Sequence, residues 1–135
     1  MIPKTIISAL NNSKIPVYGT GQQVRDWVFV EDHCSAIEAI LNHGKVGETY
    51  IIGANNEMRN IDIVKKILEL LHKKQNLIEF VKDRPGHDIR YSLSPEKIKK
   101  DLGWRPKHSF GEALSATVEH YRNNIHVYEE MITVK

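Results

Sequence analysis

Gly19-Thr20-Gly21-Gln22-Gln23-Val24, followed by Arg25-Asp26 and the apolar run Trp27-Val28-Phe29-Val30, is the stretch on which the fold turns. A turn that cradles a dinucleotide pyrophosphate carries three spaced glycines and opens directly into a helix. Here the third glycine is missing, and four consecutive apolar residues follow where a helix would have to start. The stretch therefore reads as a hairpin turn between two short strands, Ile15 to Tyr18 and Trp27 to Val30. No other glycine cluster comes as near to a dinucleotide fingerprint, so the chain is expected to lack a nucleotide-cofactor half.

Outward from that turn, helix and strand patterns alternate without repeats. Pro3 opens a short helix whose apolar face is Ile6, Ile7 and Leu10, ended by Asn11-Asn12-Ser13. Downstream, Asp32 is placed to cap a helix with Ala36, Ile37, Ile40 and Leu41 on one side and a stop near Gly44. Thr49 to Ile52 reads as a strand. Asn60 is placed to cap the next helix, with Ile63, Val64, Ile67, Leu68 and Leu71 inward, and Leu77 to Val81 reads as a strand. Ser94-Pro95-Glu96 opens a helix containing Ile98 and Leu102 and closed at Gly103. Ser109-Phe110-Gly111-Glu112 is a capping box for a final helix through Tyr121, and beyond Arg122 the chain is expected to fray. The class is α/β, a partial domain of about five helices and four short strands. Four short strands are too few for a complete doubly wound sheet.

The densest chemistry lies in Asp83-Arg84-Pro85-Gly86-His87-Asp88-Ile89-Arg90, followed by Tyr91. Pro fixes one dihedral and Gly permits a positive φ, so a tight turn can aim its neighbours at one point. Arg84 and Arg90 are forks suited to a phosphate. By composition the loop binds an anion or is simply a solvated charged turn. Elsewhere Arg25 either pairs with Asp26 or meets an anion. Tyr18 offers an aromatic face for a planar base or for cross-strand packing. Asn60 serves as a helix cap, as a ligand contact near a helix N-terminus, or as both.

Bulk properties set outer bounds. The 135 residues make one domain by length. Charged residues are 27% of the chain with a net charge of +2, too balanced for a nucleic-acid or membrane surface. No apolar run is long enough to span a bilayer and no signal-peptide core is seen at the start, so no membrane partner is expected. The single cysteine, Cys34, excludes an internal disulfide and fits a reducing, cytoplasmic compartment. None of the seven His forms a metal-ligand spacing with other ligands, and no metal is assigned.

The Asp83–Asp88 run with its following Arg and Tyr resembles the signature of the dTDP-glucose 4,6-dehydratases, within the extended short-chain dehydrogenase/reductases. The stretch Pro16 to His33, with Arg25-Asp26-Trp27 at its centre, resembles the segment where that family begins to enclose its nucleotide sugar. Gly47 to Gly53, Asn60 and Leu102 to Pro106 follow in the family's order. The resemblance runs to about Tyr121 and is to a carboxy-terminal portion only. It implies the substrate-binding portion of such an enzyme without its Rossmann cofactor half, in residues 1–122 with a tail over 123–135.

By that resemblance Pro16 and Tyr18 contact the base and ribose, Arg25 contacts the diphosphate, the loop of Arg84 and His87 meets the phosphates and the ribose-proximal part of the ligand, and Asn60 contacts the substrate. Asp83 is expected to orient Arg84. The partner implied is dTDP or a dTDP-sugar, with NAD needed only by the complete family enzyme. The family's Tyr-x-x-x-Lys is absent: Tyr18, Tyr50, Tyr91, Tyr121 and Tyr128 are followed four places on by Gln22, Ala54, Pro95, Ile125 and Ile132. The chain is therefore expected to be inactive alone, as a truncated or split lyase whose cofactor-binding half is a separate partner. Two other readings stay open: a stand-alone binding or interaction module, and a fragment of a related nucleotide-sugar epimerase. A homodimer or larger species is expected through the face of Ala36, Ile37, Ile40 and Leu41, which in the family packs back on the cofactor domain.

Overall fold

The structure is a computed structural model that describes residues 1–128. It divides into two compact units: residues 1–23, 59–89 and 114 onward, and residues 24–58 with 90–113.

The first unit is built on a parallel strand pair. β1 (Ile15–Tyr18) lies beside β4 (Ile78–Val81), with Ile15 opposite Ile78 and Tyr18 opposite Val81. Along β1 the side chains alternate, with Ile15 and Val17 buried and Tyr18 exposed, as strand geometry requires. Helices α1 (Ile2–Leu10) and α3 (Asn60–Leu70) supply the rest of the core. Ala9, Ile15, Val17, Ile61, Val64 and Leu68 pack together, with Leu71, Leu77 and Ile78 at the margin. Of the positions expected inward on α3, Ile63, Val64, Ile67 and Leu68 are buried, because an i, i+3, i+4 apolar stripe has one face to offer. Leu71 lies just past the helix and is only partly buried, whereas Ile61, not among those expected, is buried with them. Pro3 sits in the first turn of α1, and Asn11 ends it.

The second unit holds a shorter pair, β2 (Val24–Asp26) with β3 (Glu57–Arg59), and helices α2 (Val30–His43) and α4 (Glu96–Leu102). Its core is Ala36, Ile98 and Trp104, flanked by Ala39, Ile40, Tyr50, Ile52 and Leu102. Trp104 also donates its indole N–H to Ser35 Oγ at 2.9 Å. Gly103 closes α4 with φ +68°, a left-handed position that favours glycine. The helix α5 (Phe110–Asn123) opens with the expected capping box: the Glu112 carboxylate accepts from Ser109 N–H at 2.9 Å, and Ser109 Oγ accepts from Glu112 N–H at 3.3 Å.

Several sequence expectations are corrected. The Gly19–Gly21 segment is no hairpin turn, because β1 pairs with the distant β4, and β2 with β3. A parallel pair needs a long crossover, and residues between Gly19 and Leu77 provide it. Trp27 to Phe29 and Thr49 to Ile52 lie outside any strand. Phe29, not Asp32, is the N-cap of α2, and Arg59, not Asn60, that of α3. Past Asn124 the chain makes a further helical turn, α6 (Ile125–Tyr128), in place of fraying, and the rest of the expected tail lies outside the described residues. On α2 the supposed open face is split: Ala36 is fully buried and Ile40 packs inward, whereas Ile37 and Leu41 are exposed.

Candidate functional site

Parallel register places the carboxyl ends of β1 and β4 at one edge of the first unit, so Tyr18-Gly19 and the charged loop after Val81 emerge together. Gly19 N–H donates to Val81 C=O at 2.9 Å and extends the ladder by one step. Gly19 has φ +56°, and a Cβ there would lie 2.6 Å from Asp83 Oδ2. Only glycine fits against that carboxylate.

Asp83 is the hub of the loop. Its Oδ2 accepts from Gln23 Nε2 at 2.9 Å, while Oδ1 accepts from Arg84 N–H at 2.9 Å and meets His87 Nδ1 at 2.7 Å. The His87 hydrogen bond above all, with the Arg84 N–H and the Gln23 amide, holds the Asp83 carboxyl below its ordinary range against partial burial. The His87 side chain is 7% exposed and stands edge-on to the Tyr18 ring, with centroids 6.5 Å apart and planes at 89°. Asp83 thus orients His87 and the turn backbone, where sequence reasoning had it orienting Arg84. The Arg84 side chain lies in the exposed loop and pairs with no carboxylate among the described residues.

The other candidates fall as follows. Pro16 is half-buried within β1, opposite Glu79. Asn60 is the first residue of α3. Its N–H donates to Gln23 C=O at 2.9 Å, and its Oδ1 is buried with no hydrogen-bond partner among the described residues. Pro16, Tyr18, Asn60, Arg84 and His87 belong to the first unit. Arg25 belongs to the second, where its guanidinium lies over the Tyr91 ring, 4.3 Å from the centroid, and donates to Val24 C=O at 2.6 Å.

The carboxylate of Asp26, considered from sequence as a partner for Arg25, is engaged by backbone N–H groups of a nearby loop. Asp26 accepts from Ala54 and Asn56 N–H at 2.9 and 2.7 Å and fastens that loop. Arg90, read as a second phosphate fork, is tied to Glu57 at 2.6 Å. Sequence reasoning missed Gln23 and assigned Tyr91 no role. The Asp83/His87 spacing of four within a turn was the one local signal for their contact.

Among the described residues no three His, Cys, Asp or Glu groups could hold a metal, and no helix is long and apolar enough to cross a membrane. Residues 1–117 match the family described as GDP-mannose 4,6 dehydratase. A dTDP-glucose 4,6-dehydratase of Neisseria meningitidis is 46% identical over 92% of this chain and 38% of its own length. The Bacillus anthracis dTDP-glucose 4,6-dehydratase, solved with NAD, superposes with a TM-score of 0.88 at 46% identity, covering 93% of this chain and 40% of that one. The Streptomyces venezuelae enzyme of the same name, solved with NAD and dTDP, gives 0.91 at 39% identity over 93% and 39%. This chain thus spans about two-fifths of the length of the relatives it matches. It belongs to the family of sugar-nucleotide dehydratases described as GDP-mannose 4,6 dehydratase, and the relatives it resembles are dTDP-glucose 4,6-dehydratases, α/β proteins of the extended short-chain dehydrogenase/reductase class.

Proposed function

We infer that residues 1–122 are the nucleotide-sugar-binding portion of a cytoplasmic dTDP-glucose 4,6-dehydratase, with residues 123–135 as a tail, and that the chain alone performs no dehydration. The observation that carries this is the edge of the parallel pair, where a half-exposed Tyr18, a fixed His87 and an exposed Arg84 emerge together. An aromatic face suits a thymine, a guanidinium suits a diphosphate, and an imidazole suits a hydroxyl. Pro16 and Asn60 add to the contacts on this unit, Asn60 offering an amide not consumed by capping, and Arg25, in the second unit, is assigned to the diphosphate by the family resemblance alone. The chemistry of the complete enzyme, hydride transfer through NAD, would rest on residues this sequence lacks, namely a Gly-rich pyrophosphate turn and a Tyr-x-x-x-Lys pair.

Calorimetric titration with dTDP tests the reading. Weak binding is expected, and Arg84→Ala should weaken it roughly tenfold or more, since a charged hydrogen bond contributes about 1.5–3 kcal/mol. Equal affinities for the two proteins would remove Arg84 from the site. Incubation with dTDP-glucose and NAD should yield no 4-keto-6-deoxy sugar.

A second reading, an interaction module, is favoured by α2, where Val30, Ile37 and Leu41 are exposed at positions that share one helix face. The occupant of that face would be a second copy of the chain. Sedimentation of wild type and Leu41→Glu decides it: a wild-type monomer at high micromolar concentration refutes this reading.

A further inference from the structure

Gln23 is buried, 8% exposed, on the segment between β1 and β2, and none of the six contacts proposed above includes it. Its neighbours restrict what its amide can do. Asp83 is held ionised by three donors, and an ionised carboxylate only accepts hydrogen bonds. The Gln23 nitrogen must therefore face Asp83 Oδ2, and Oε1 is left buried without a partner among the described residues. Leaving a buried acceptor unmet is costly. The orientation persists because the Asp83 contact and the backbone bond from Asn60 N–H to Gln23 C=O hold the residue at both ends.

The same acceptor-only logic passes along the chain of contacts to His87. Asp83 Oδ1 lies 2.7 Å from Nδ1, so Nδ1 carries a proton and donates it. In the neutral ring Nε2 then has no proton and can only accept. We propose that Gln23 and Asp83 are positioning residues which, through their 2.9 Å and 2.7 Å contacts, lock His87 as the Nδ1–H tautomer, so that its Nε2 accepts a hydrogen bond from a ligand hydroxyl. Gly19 belongs to the same device, because any side chain there would displace the carboxylate. The identity of the hydroxyl, on a nucleotide sugar, rests on the function proposed above, whereas the tautomer lock does not.

Long-range proton–nitrogen NMR of the imidazoles reads the tautomer directly and requires no ligand. In wild type with the ring neutral, His87 should show a protonated Nδ1 and a bare Nε2. In Asp83→Ala the Nε2–H form should become populated. In Gln23→Leu the carboxylate loses one of its two side-chain anchors, and a mixture of tautomers is expected. Should Gln23→Leu fail to fold, Gln23→Met, close in length to glutamine and without a donor, should give the same mixture. Affinity for dTDP-glucose should fall roughly tenfold in Asp83→Ala. A wild-type Nε2–H tautomer, or a tautomer unchanged in the Gln23 variants, overturns the lock. An intact lock with unchanged dTDP-glucose affinity in Asp83→Ala overturns the hydroxyl contact alone, and an intact lock with no binding by wild type counts against the nucleotide-sugar reading.

Discussion

Among the described residues each unit contains a close Asp–His pair, and their burial is inverted. In the first, His87 is 7% exposed and its partner Asp83 is 40% exposed, four residues apart in one turn. In the second, Asp32 is 2% exposed and its partner His108 is 35% exposed, 76 residues away in sequence. Asp32 accepts from Lys107 N–H at 2.9 Å, from His108 N–H at 3.3 Å and from His108 Nδ1 at 3.0 Å. The buried carboxylate fastens a distant strand of chain to the first turn of α2, with Phe29 edge-on to the His108 ring at 4.9 Å. The half-exposed carboxylate holds an imidazole in one attitude. The same pair of residue types thus serves architecture where the acid is inside and aims a side chain where the base is inside.

The largest effect should come from removing the inner acid. Asp32→Ala strips the acceptor from three donors, and at about 1–3 kcal/mol for each buried group left unmet, a loss of roughly 3 kcal/mol is expected in urea unfolding. A loss below about 1 kcal/mol would erase the contrast, since Asp32 would then be no more architectural than Asp83.

Acid stability sharpens the comparison next. Burial pushes the Asp32 carboxyl up, but the Lys107 N–H and the His108 side chain and N–H together outweigh it and hold the group below its ordinary range. A folded value depressed below the unfolded value of about 3.9 contributes stability above about pH 4, lost as pH falls through the folded value. Wild type should therefore weaken on acidification below about pH 4. Asp32→Asn should show a visibly flatter acid limb in unfolding midpoints measured from pH 6 to pH 2.5.

The smallest effect belongs to the outer acid. Asp83→Ala should cost about 1–2 kcal/mol of stability, less than Asp32→Ala, because the Asp83 side chain is 40% exposed and water can enter the vacated place to meet its donors. Thermal unfolding checks this beside the NMR and affinity measurements on the same variant. A loss as large as that of Asp32→Ala would make the loop an architectural element too.

The two pairs were unequally legible in the sequence. Asp83 and His87 fall inside one motif, and their spacing within a Pro-Gly turn brings them together by local geometry. Asp32 looked like a helix cap because an acid before an apolar stripe usually is one. Its true partners, Lys107 and His108, carry no local mark of the contact. Asn60 misled in the same way, standing one residue inside the helix it was expected to cap.

The sequence by itself determined what depends on neighbours three or four residues apart. The capping box at Ser109 and Glu112, the left-handed stop at Gly103, the proline opening of α1 and the inward stripe of α3 all stand where they were read. Helix signals are local because each backbone bond closes within a turn. Tertiary structure alone decided which strands pair, that Arg90 is spent on Glu57, that Arg25 lies over Tyr91, and that Gln23 stands behind Asp83. Strand ladders and side-chain contacts draw partners from any sequence distance, and a strand's own residues do not name the chain it will lie beside.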